Sequence, residues 1–312
     1  MANPSQIERL FNFFDMVSNR CSKARNMTYL EGLVESLNLL LDHETQNKYD
    51  DETQAAIIQE MTQIEALLFD KESVRKAIQL ALLKGFKQMQ VTNAMMTPDS
   101  VGYFMAYLIN KLMPSPPNIV LDPLAGTGNL LATIANQIPS IKQLIGIDLD
   151  PMMCDLSRNL LDALEVNHQI YCQDTLSYIG PMVDLIVTDF PIKPVNAQTA
   201  YLPYLTVLHH LTHLKDHHYM IALIENDFFE QASQEVFKQK LLQEAFLFGL
   251  IKLDESLFKN HAKSILILQK KRSNETRKPP FLLVDLPAFT DQEGMAKAMD
   301  EIELWFKQRK VD

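Results

Sequence analysis

Residues 119–135 read Ile119-Val120-Leu121-Asp122-Pro123-Leu124-Ala125-Gly126-Thr127-Gly128-Asn129-Leu130-Leu131-Ala132-Thr133-Ile134-Ala135. An apolar run leads into a glycine-bearing turn and then into a helix start. An open α/β sheet holds nucleotide-like ligands at turns of this kind. Gly126 and Gly128 carry no Cβ, which permits unusual backbone angles and lets a ligand approach the main chain. The turn departs from a dinucleotide-binding fingerprint, because Leu131 stands where that fingerprint needs Gly or Ala.

A second apolar run, Leu144-Ile145-Gly146-Ile147, ends in Asp148, twenty residues beyond Gly128. That spacing suits a carboxylate at the tip of the second strand, positioned for both hydroxyls of a ribose. Asp150 precedes Pro151 and fits a helix N-cap followed by proline at the first helical position. Asp174 follows a third expected strand, 169–172, and Asp189 a fourth, 183–187. Asp122, Asp148, Asp174 and Asp189 therefore stand at successive strand C-termini, the edge where doubly wound sheets bind ligands. Any one of them alone would serve as a turn residue or cap; four in register point to a ligand. The leading acid, Asp122, suits a ligand with an ammonium group, which S-adenosylmethionine has and NAD lacks.

On these residues, the stretch 92–270 resembles the class I S-adenosylmethionine-dependent methyltransferases, in particular the N6-adenine DNA methylase type. The resemblance implies a cofactor loop of Asp122, Pro123, Ala125, Gly126, Thr127, Gly128 and Asn129. It implies a ribose acid at Asp148, followed by Leu149, and an adenine-contacting segment at Asp174 and Thr175. Thr97-Pro98 is similar to the motif that this subclass places beside the methionine carboxylate, and a helix N-terminus favours an anionic group there. The catalytic tetrad of the family is Asn, Asp or Ser, then Pro-Pro, then an aromatic residue. Here it reads Asp189-Phe190-Pro191-Ile192, so the implied catalytic residues are Asp189, Phe190 and Pro191.

The sulfonium methyl is already electrophilic, so such an enzyme mainly orients a nucleophile in line with it. For an exocyclic amine, side-chain and backbone oxygens accept its hydrogens, and an extruded base also needs a face to stack on. Asp189 retains the accepting role, whereas Ile192 is a poor stacking platform. Phe190 and Tyr201 are the aromatic substitutes at hand. The resemblance thus implies S-adenosyl-L-methionine as cofactor and N-methylation as the reaction. The departures at Phe190 and Ile192 keep open a non-catalytic module that binds cofactor or a protein partner.

The chain has 312 residues, 47% of them hydrophobic, enough for a sizeable core and more than one domain. Cys21, Cys154 and Cys172 are too scattered for a disulfide framework or a zinc site. His209 and His213 share a helix face, but two imidazoles make an incomplete site, so no metal is expected. The apolar stretch 7–17 is broken by Glu8, Arg9 and Asp15, unlike a signal peptide. No apolar run approaches the ~20 residues that span a bilayer. A cytoplasmic protein without membrane contact is the expectation. The net charge of −10 argues against strong autonomous binding to nucleic acid, which needs clustered Lys and Arg. A nucleic-acid substrate would rely on a local patch, such as Lys270-Lys271-Arg272 with Arg277 and Lys278, or on a partner.

Residues 1–90 lack proline after Pro4 and carry apolar stripes at helical spacing. They predict an all-helical N-terminal domain, able to cover the cofactor cleft, contact substrate or form a homodimer. The sequence does not choose among these uses. Residues 91–272 predict a Rossmann-like α/β methyltransferase sheet, mostly parallel with an antiparallel last strand. Helices are expected at 201–214 and 229–245. Residues 273–312 read as a linker, a short strand and a C-terminal helix whose stripe includes Ile302, Trp305 and Phe306.

Overall fold

The computed structural model describes residues 2–42, 49–65, 68–90, 96–191, 201–258, 262–273, 275–276 and 278–309. Helix α1 (Pro4–Arg25) starts at Asn3, whose side chain accepts from the Ser5 N–H, and stops at Asn26 in the left-handed region. Helix α2 (Tyr29–Asp42) follows a reciprocal cap: the Thr28 N–H donates to Glu31 at 2.6 Å, and the Glu31 N–H to Thr28 Oγ1 at 3.2 Å. Helix α3 spans Asp51–Glu65, and α4 (Lys71–Gln88) is capped by Asp70. The apolar stripes of these helices face inward as their spacing predicts, except at Ile58 of α3 and at Leu68, which are 45% and 96% exposed. Phe14, Leu30, Leu33, Leu37, Ile78 and Leu82 are buried in one continuous core with the sheet residues Val120, Leu185 and Ile221.

The sheet comprises β1 (Ile119–Asp122), β2 (Gln143–Asp148), β3 (His168–Cys172), β4 (Val183–Asp189), β5 (Leu214–Glu225), β6 (Ala245–Lys252), β7 (Lys263–Lys270) and β8 (Leu282–Asp285). Their order across the sheet is β3-β2-β1-β4-β5-β7-β6-β8. The first five are parallel, and β7 runs antiparallel to both β5 and β6. This is the expected mostly parallel sheet behind a helical N-terminal region. The antiparallel strand β7 lies between β5 and β6, and β8 extends the sheet by pairing parallel with β6.

Helices α5 (Asp99–Leu112), α6 (Asn129–Gln137) and α7 (Pro151–Ala163) join the N-terminal helices in the first core; α8 (Leu202–Leu211) and α9 (Gln234–Glu244) build a second with the opposite face. Helix α10 (Gln292–Arg309) returns to the first face, where Trp305 packs edge-on to Phe248 at 5.3 Å. Covered on both faces, β4 is buried from Val183 to Thr188, as parallel strands are. Two helix boundaries differ from expectation. Leu214 opens β5 instead of closing α8, and α9 begins at Gln234 because Phe228–Glu230 form a separate 3-10 turn. The Phe228 ring is fully buried among Tyr201, Tyr204 and Phe237. Its carbonyl accepts from the Tyr204 hydroxyl. Seating that ring fixes the turn and delays the helix.

Candidate functional site

The strand order reverses beside β1, and the loop that follows β1 lies at this switch point, the usual ligand crevice of such sheets. Asp122 ends the strand and is 2% exposed. Burial pushes its carboxyl up to about 7; the Leu124 N–H, 3.0 Å from Oδ1, opposes the shift, and the charges of Asp189 and Asp148 add to it. The loop then crosses to β2: the Ala125 N–H donates to the Ile147 carbonyl at 2.8 Å, and the Gly126 N–H to Asp148 Oδ2 at 2.9 Å. Both loop glycines have positive φ, 51° at Gly126 and 76° at Gly128, but they serve different needs. A Cβ on Gly128 would lie 2.4 Å from Ser157 Oγ of α7, whereas one on Gly126 would meet nothing within 4 Å. Gly128 lets the loop pack on the protein; Gly126 faces open space.

Asp148 is half-buried, and its second oxygen accepts from the Asp150 N–H at 2.9 Å. Asp150 itself caps α7 through Met152. Leu149, beside it, is 72% exposed. At the end of β3, Asp174 is exposed and caps the next turn through Leu176. Thr175 is buried, with its hydroxyl 2.7 Å from His210 Nε2. That side chain is committed to α8, and the Thr175 carbonyl accepts from the Tyr178 N–H at 3.3 Å. Pro123, Ala125 and Thr127 are buried within the loop.

At the end of β4 the structure adds a residue that sequence reading missed. Lys263, 2% exposed at the start of β7, donates from Nζ to Asp189 Oδ1 and, at 2.9 Å, to the Phe190 carbonyl. The other oxygen of Asp189 accepts from Thr97 Oγ1 at 2.8 Å. Asp189 and the Phe190 carbonyl are thus brought together as acceptors of one ammonium, that of Lys263. The Phe190 ring turns away into the second core, 6.2 Å from Phe228, and Tyr201 packs edge-on to Tyr204 at 4.8 Å. The expectation that either ring substitutes as a stacking face therefore fails, because both are buried in the aromatic cluster behind the strand. Pro191 is exposed, and Ile192 lies outside the described residues.

A second missed residue ties the helical region to this site. Arg75 of α4 is fully buried and donates to Glu72, to both oxygens of Asp99 at 3.0 and 2.9 Å, and to Asn129 Oδ1 at 2.9 Å. Burial alone would lower its pKa; Glu72 and Asp99 more than reverse that and hold it far above the ordinary value. Asn129 in turn donates to the Thr97 carbonyl at 3.4 Å. A continuous polar path therefore runs from Arg75 through Asn129, Thr97 and Asp189 to Lys263. Thr97 and Asn129, expected at the cofactor, use their side chains in this path.

Residues 81–307 match the family model described as N-6 DNA Methylase. The chain belongs to the N-6 DNA methylase family. Residues 8–86 match a second model, described as the YtxK N-terminal helical domain. This methylase-family chain is 31% identical over 310 residues to the uncharacterized protein YtxK of Bacillus subtilis, covering 91% of this chain and 92% of that one. It superposes on a Listeria monocytogenes protein, provisionally described as a class I S-adenosylmethionine-dependent methyltransferase, with a TM-score of 0.88. That pair shares 28% identity and covers 97% of this chain and 100% of the other. The fold is shared with a type I restriction-modification methyltransferase subunit from Streptococcus thermophilus: TM-score 0.64, 15% identity, 95% of this chain and 74% of that one.

Two other features of this family member bear on ligands. His209, His210 and His213 each place a ring nitrogen within 4.8 Å of the others. Nitrogens around a tetrahedral zinc sit about 3.3 Å apart, given Zn–N bonds of roughly 2.0–2.1 Å. His209 Nε2 lies 2.9 Å from the Tyr178 carbonyl, and burial pushes His210 down to about 3, with His209 and His213 adding to the shift. His209 and His210 of α8, with His213 just after it, thereby pack against the 175–178 turn. In the basic cluster, Lys270 pairs with Glu244, and Lys271 donates to the Leu242 carbonyl and lies over the Phe246 ring. Arg277 lies outside the described residues. Among those described, no helix is long and apolar enough to cross a membrane.

Proposed function

We propose that the protein binds S-adenosylmethionine at the β1–β2 edge and transfers its methyl group to an amino group, with nucleic acid as the acceptor class. The observation that carries this reading is the joined loop and ribose acid: Gly126 opens onto free space while its N–H is fixed to Asp148. The residues fit the cofactor in three further respects. Asp122 offers a carboxylate to an ammonium group, Asp148 offers acceptors to ribose hydroxyls, and Leu149 offers an apolar face left in water to the adenine ring. The bound cofactor supplies a methyl group activated by its sulfonium. The protein's part is orientation: Asp189 Oδ1 and the Phe190 carbonyl accept the hydrogens of the attacking amine. With a net charge of −10, a nucleic-acid acceptor is presented by a local patch or by a partner.

The assay is tritium-labelled methyl transfer to single-stranded and duplex DNA and to cellular RNA and protein fractions. Asp189→Ala is expected to lower transfer by about a hundredfold or more, with cofactor binding retained. Undiminished transfer in that variant would remove Asp189 from the catalytic role. A second reading, a cofactor-binding module without transferase activity, is favoured by the burial of the Phe190 ring. It predicts cofactor binding with no transfer to any fraction.

Asp122 makes the binding step depend on pH. Its neutral form is favoured in the empty fold, so its contribution to stability declines as pH rises from about 4 to 7 and is level above that. Pairing with an ammonium group requires the carboxylate. Cofactor uptake below pH 7 should therefore release up to one proton and strengthen as pH rises, by at most about tenfold per pH unit. Titration at several pH values, in buffers of different ionisation enthalpy, reads both effects. Asp122→Asn should abolish the proton release.

A further inference from the structure

We infer that Lys263 fills, from within the chain, the position that an acceptor amine takes at this site, and thereby decides which acceptors the site admits. The inference rests on the cofactor reading above and deepens it. An amine in attack position gives its hydrogens to Asp189 and to the carbonyl of residue 190, and its lone pair to the methyl group. Lys263 Nζ already donates to Asp189 Oδ1 and, at 2.9 Å, to the Phe190 carbonyl. A second nitrogen aimed at the same lone pairs of both oxygens would compete with Nζ for them.

A lysine that only neutralised Asp189 would need no bond to the Phe190 carbonyl. Here the ammonium engages both acceptors, and its stem is held in place. Lys263 opens β7 opposite Glu225 of β5, its side chain is 2% exposed, and Nζ lies 5.8 Å from the centroid of the Phe258 ring. An amine acceptor must therefore displace a buried, paired lysine. The site is closed to small free amines and opens only to an acceptor whose remaining contacts drive Lys263 out.

A second consequence concerns the cofactor. Reacting atoms in a near-attack arrangement stand roughly 3–3.5 Å apart, so an ammonium in the acceptor position faces the sulfonium at short range. Asp189 offsets part of that repulsion. A neutral ligand, S-adenosylhomocysteine, gains over two cationic ones: S-adenosylmethionine, and sinefungin, in which an amine-bearing carbon replaces the sulfonium.

The test is calorimetric titration of the intact protein, of Lys263→Met and of Lys263→Gln with these three ligands, followed by adenosine added to the S-adenosylhomocysteine complex. Lys263→Gln keeps a donor for the Phe190 carbonyl and covers the case in which the methionine variant does not fold. The expected result is a preference for S-adenosylhomocysteine in the intact protein that narrows by about tenfold when Lys263 is replaced. Adenosine should bind the variant complexes and not the intact one. Equal ligand ratios in all proteins, or adenosine binding as tightly to the intact complex, would overturn the role of Lys263 and leave the cofactor reading standing. Failure of the folded, intact protein to bind any of the three would overturn the cofactor reading, and this inference with it.

Discussion

Arg75→Met is expected to lower the unfolding free energy by about 3–5 kcal/mol, the range for removing one partner of a buried ion pair. The guanidinium is fully buried and satisfies Glu72, Asp99, Asn129 and the Tyr103 hydroxyl together. Methionine replaces only the apolar stem, so Glu72 loses its Arg75 partner and Asp99 keeps only the longer ion pair with Lys76, at 3.3 Å. Glu72 and Asp99 are 17% and 19% exposed, so water relieves them only in part. Their pKa values are depressed in the fold: burial raises each, and Arg75, helped by Tyr103 and Asn136 at Glu72 and by Gln79 and Lys76 at Asp99, more than offsets it. The stability they contribute is present above the ordinary carboxylate range and is lost as pH falls through it. In the variant this acid sensitivity should weaken, because the cation that depresses them is gone. Denaturant unfolding at pH 7 and pH 4 measures both effects. A loss below about 1 kcal/mol at pH 7 would mean that the pair is more solvated than its burial implies.

Asp148→Ala is expected to weaken S-adenosylmethionine binding by about a hundredfold. In the proposed cofactor site the carboxylate would accept from two ribose hydroxyls, and hydrogen bonds to a charged group are worth about 1.5–3 kcal/mol each. At roughly 1.4 kcal/mol per tenfold, losing both reaches two orders of magnitude at the low end. The substitution also frees the Gly126 and Asp150 N–H groups, both 2.9 Å from Asp148. The loop then loses its tie to β2, which adds to the loss of affinity. The effect on folding should be smaller, because Asp148 is half-buried and water can replace its partners. A thermal melt separates the two. Affinity within a factor of three of the intact protein, at equal stability, would remove Asp148 from the cofactor site.

The four strand-end acids were legible because each depends on local sequence alone, an apolar run and the turn after it. The helical region was legible for the same reason, since its stripes repeat within single helices. Lys263 was not, because it meets Asp189 across β5, through the antiparallel pairing of β7 that no short window encodes. A charged residue opening an otherwise apolar strand was the one local signal. Arg75 stands beside Lys76 on a helix that also carries Lys71, Glu72 and Lys84, so nothing local marks it as the buried charge, and its partner Asn129 is 54 residues away. The direction of the Phe190 ring was hidden because β4 is buried on both faces. The apolar run Leu185-Ile186-Val187 within it carries no alternation to read. The start of α9 was displaced by the packing of one ring, Phe228, against Tyr201 and Tyr204 of the preceding helix and its N-cap.

All of these features converge on one claim, that the edge formed by Asp122, Gly126 and Asp148 holds S-adenosylmethionine. Calorimetric titration of the intact protein with S-adenosylmethionine and S-adenosylhomocysteine at pH 8 or above tests it most directly, because the carboxylate form of Asp122, pushed up to about 7 by burial, is then favoured. Saturable micromolar binding at one site per chain is the result expected. No heat of binding from protein shown to be folded, with either ligand, would contradict it.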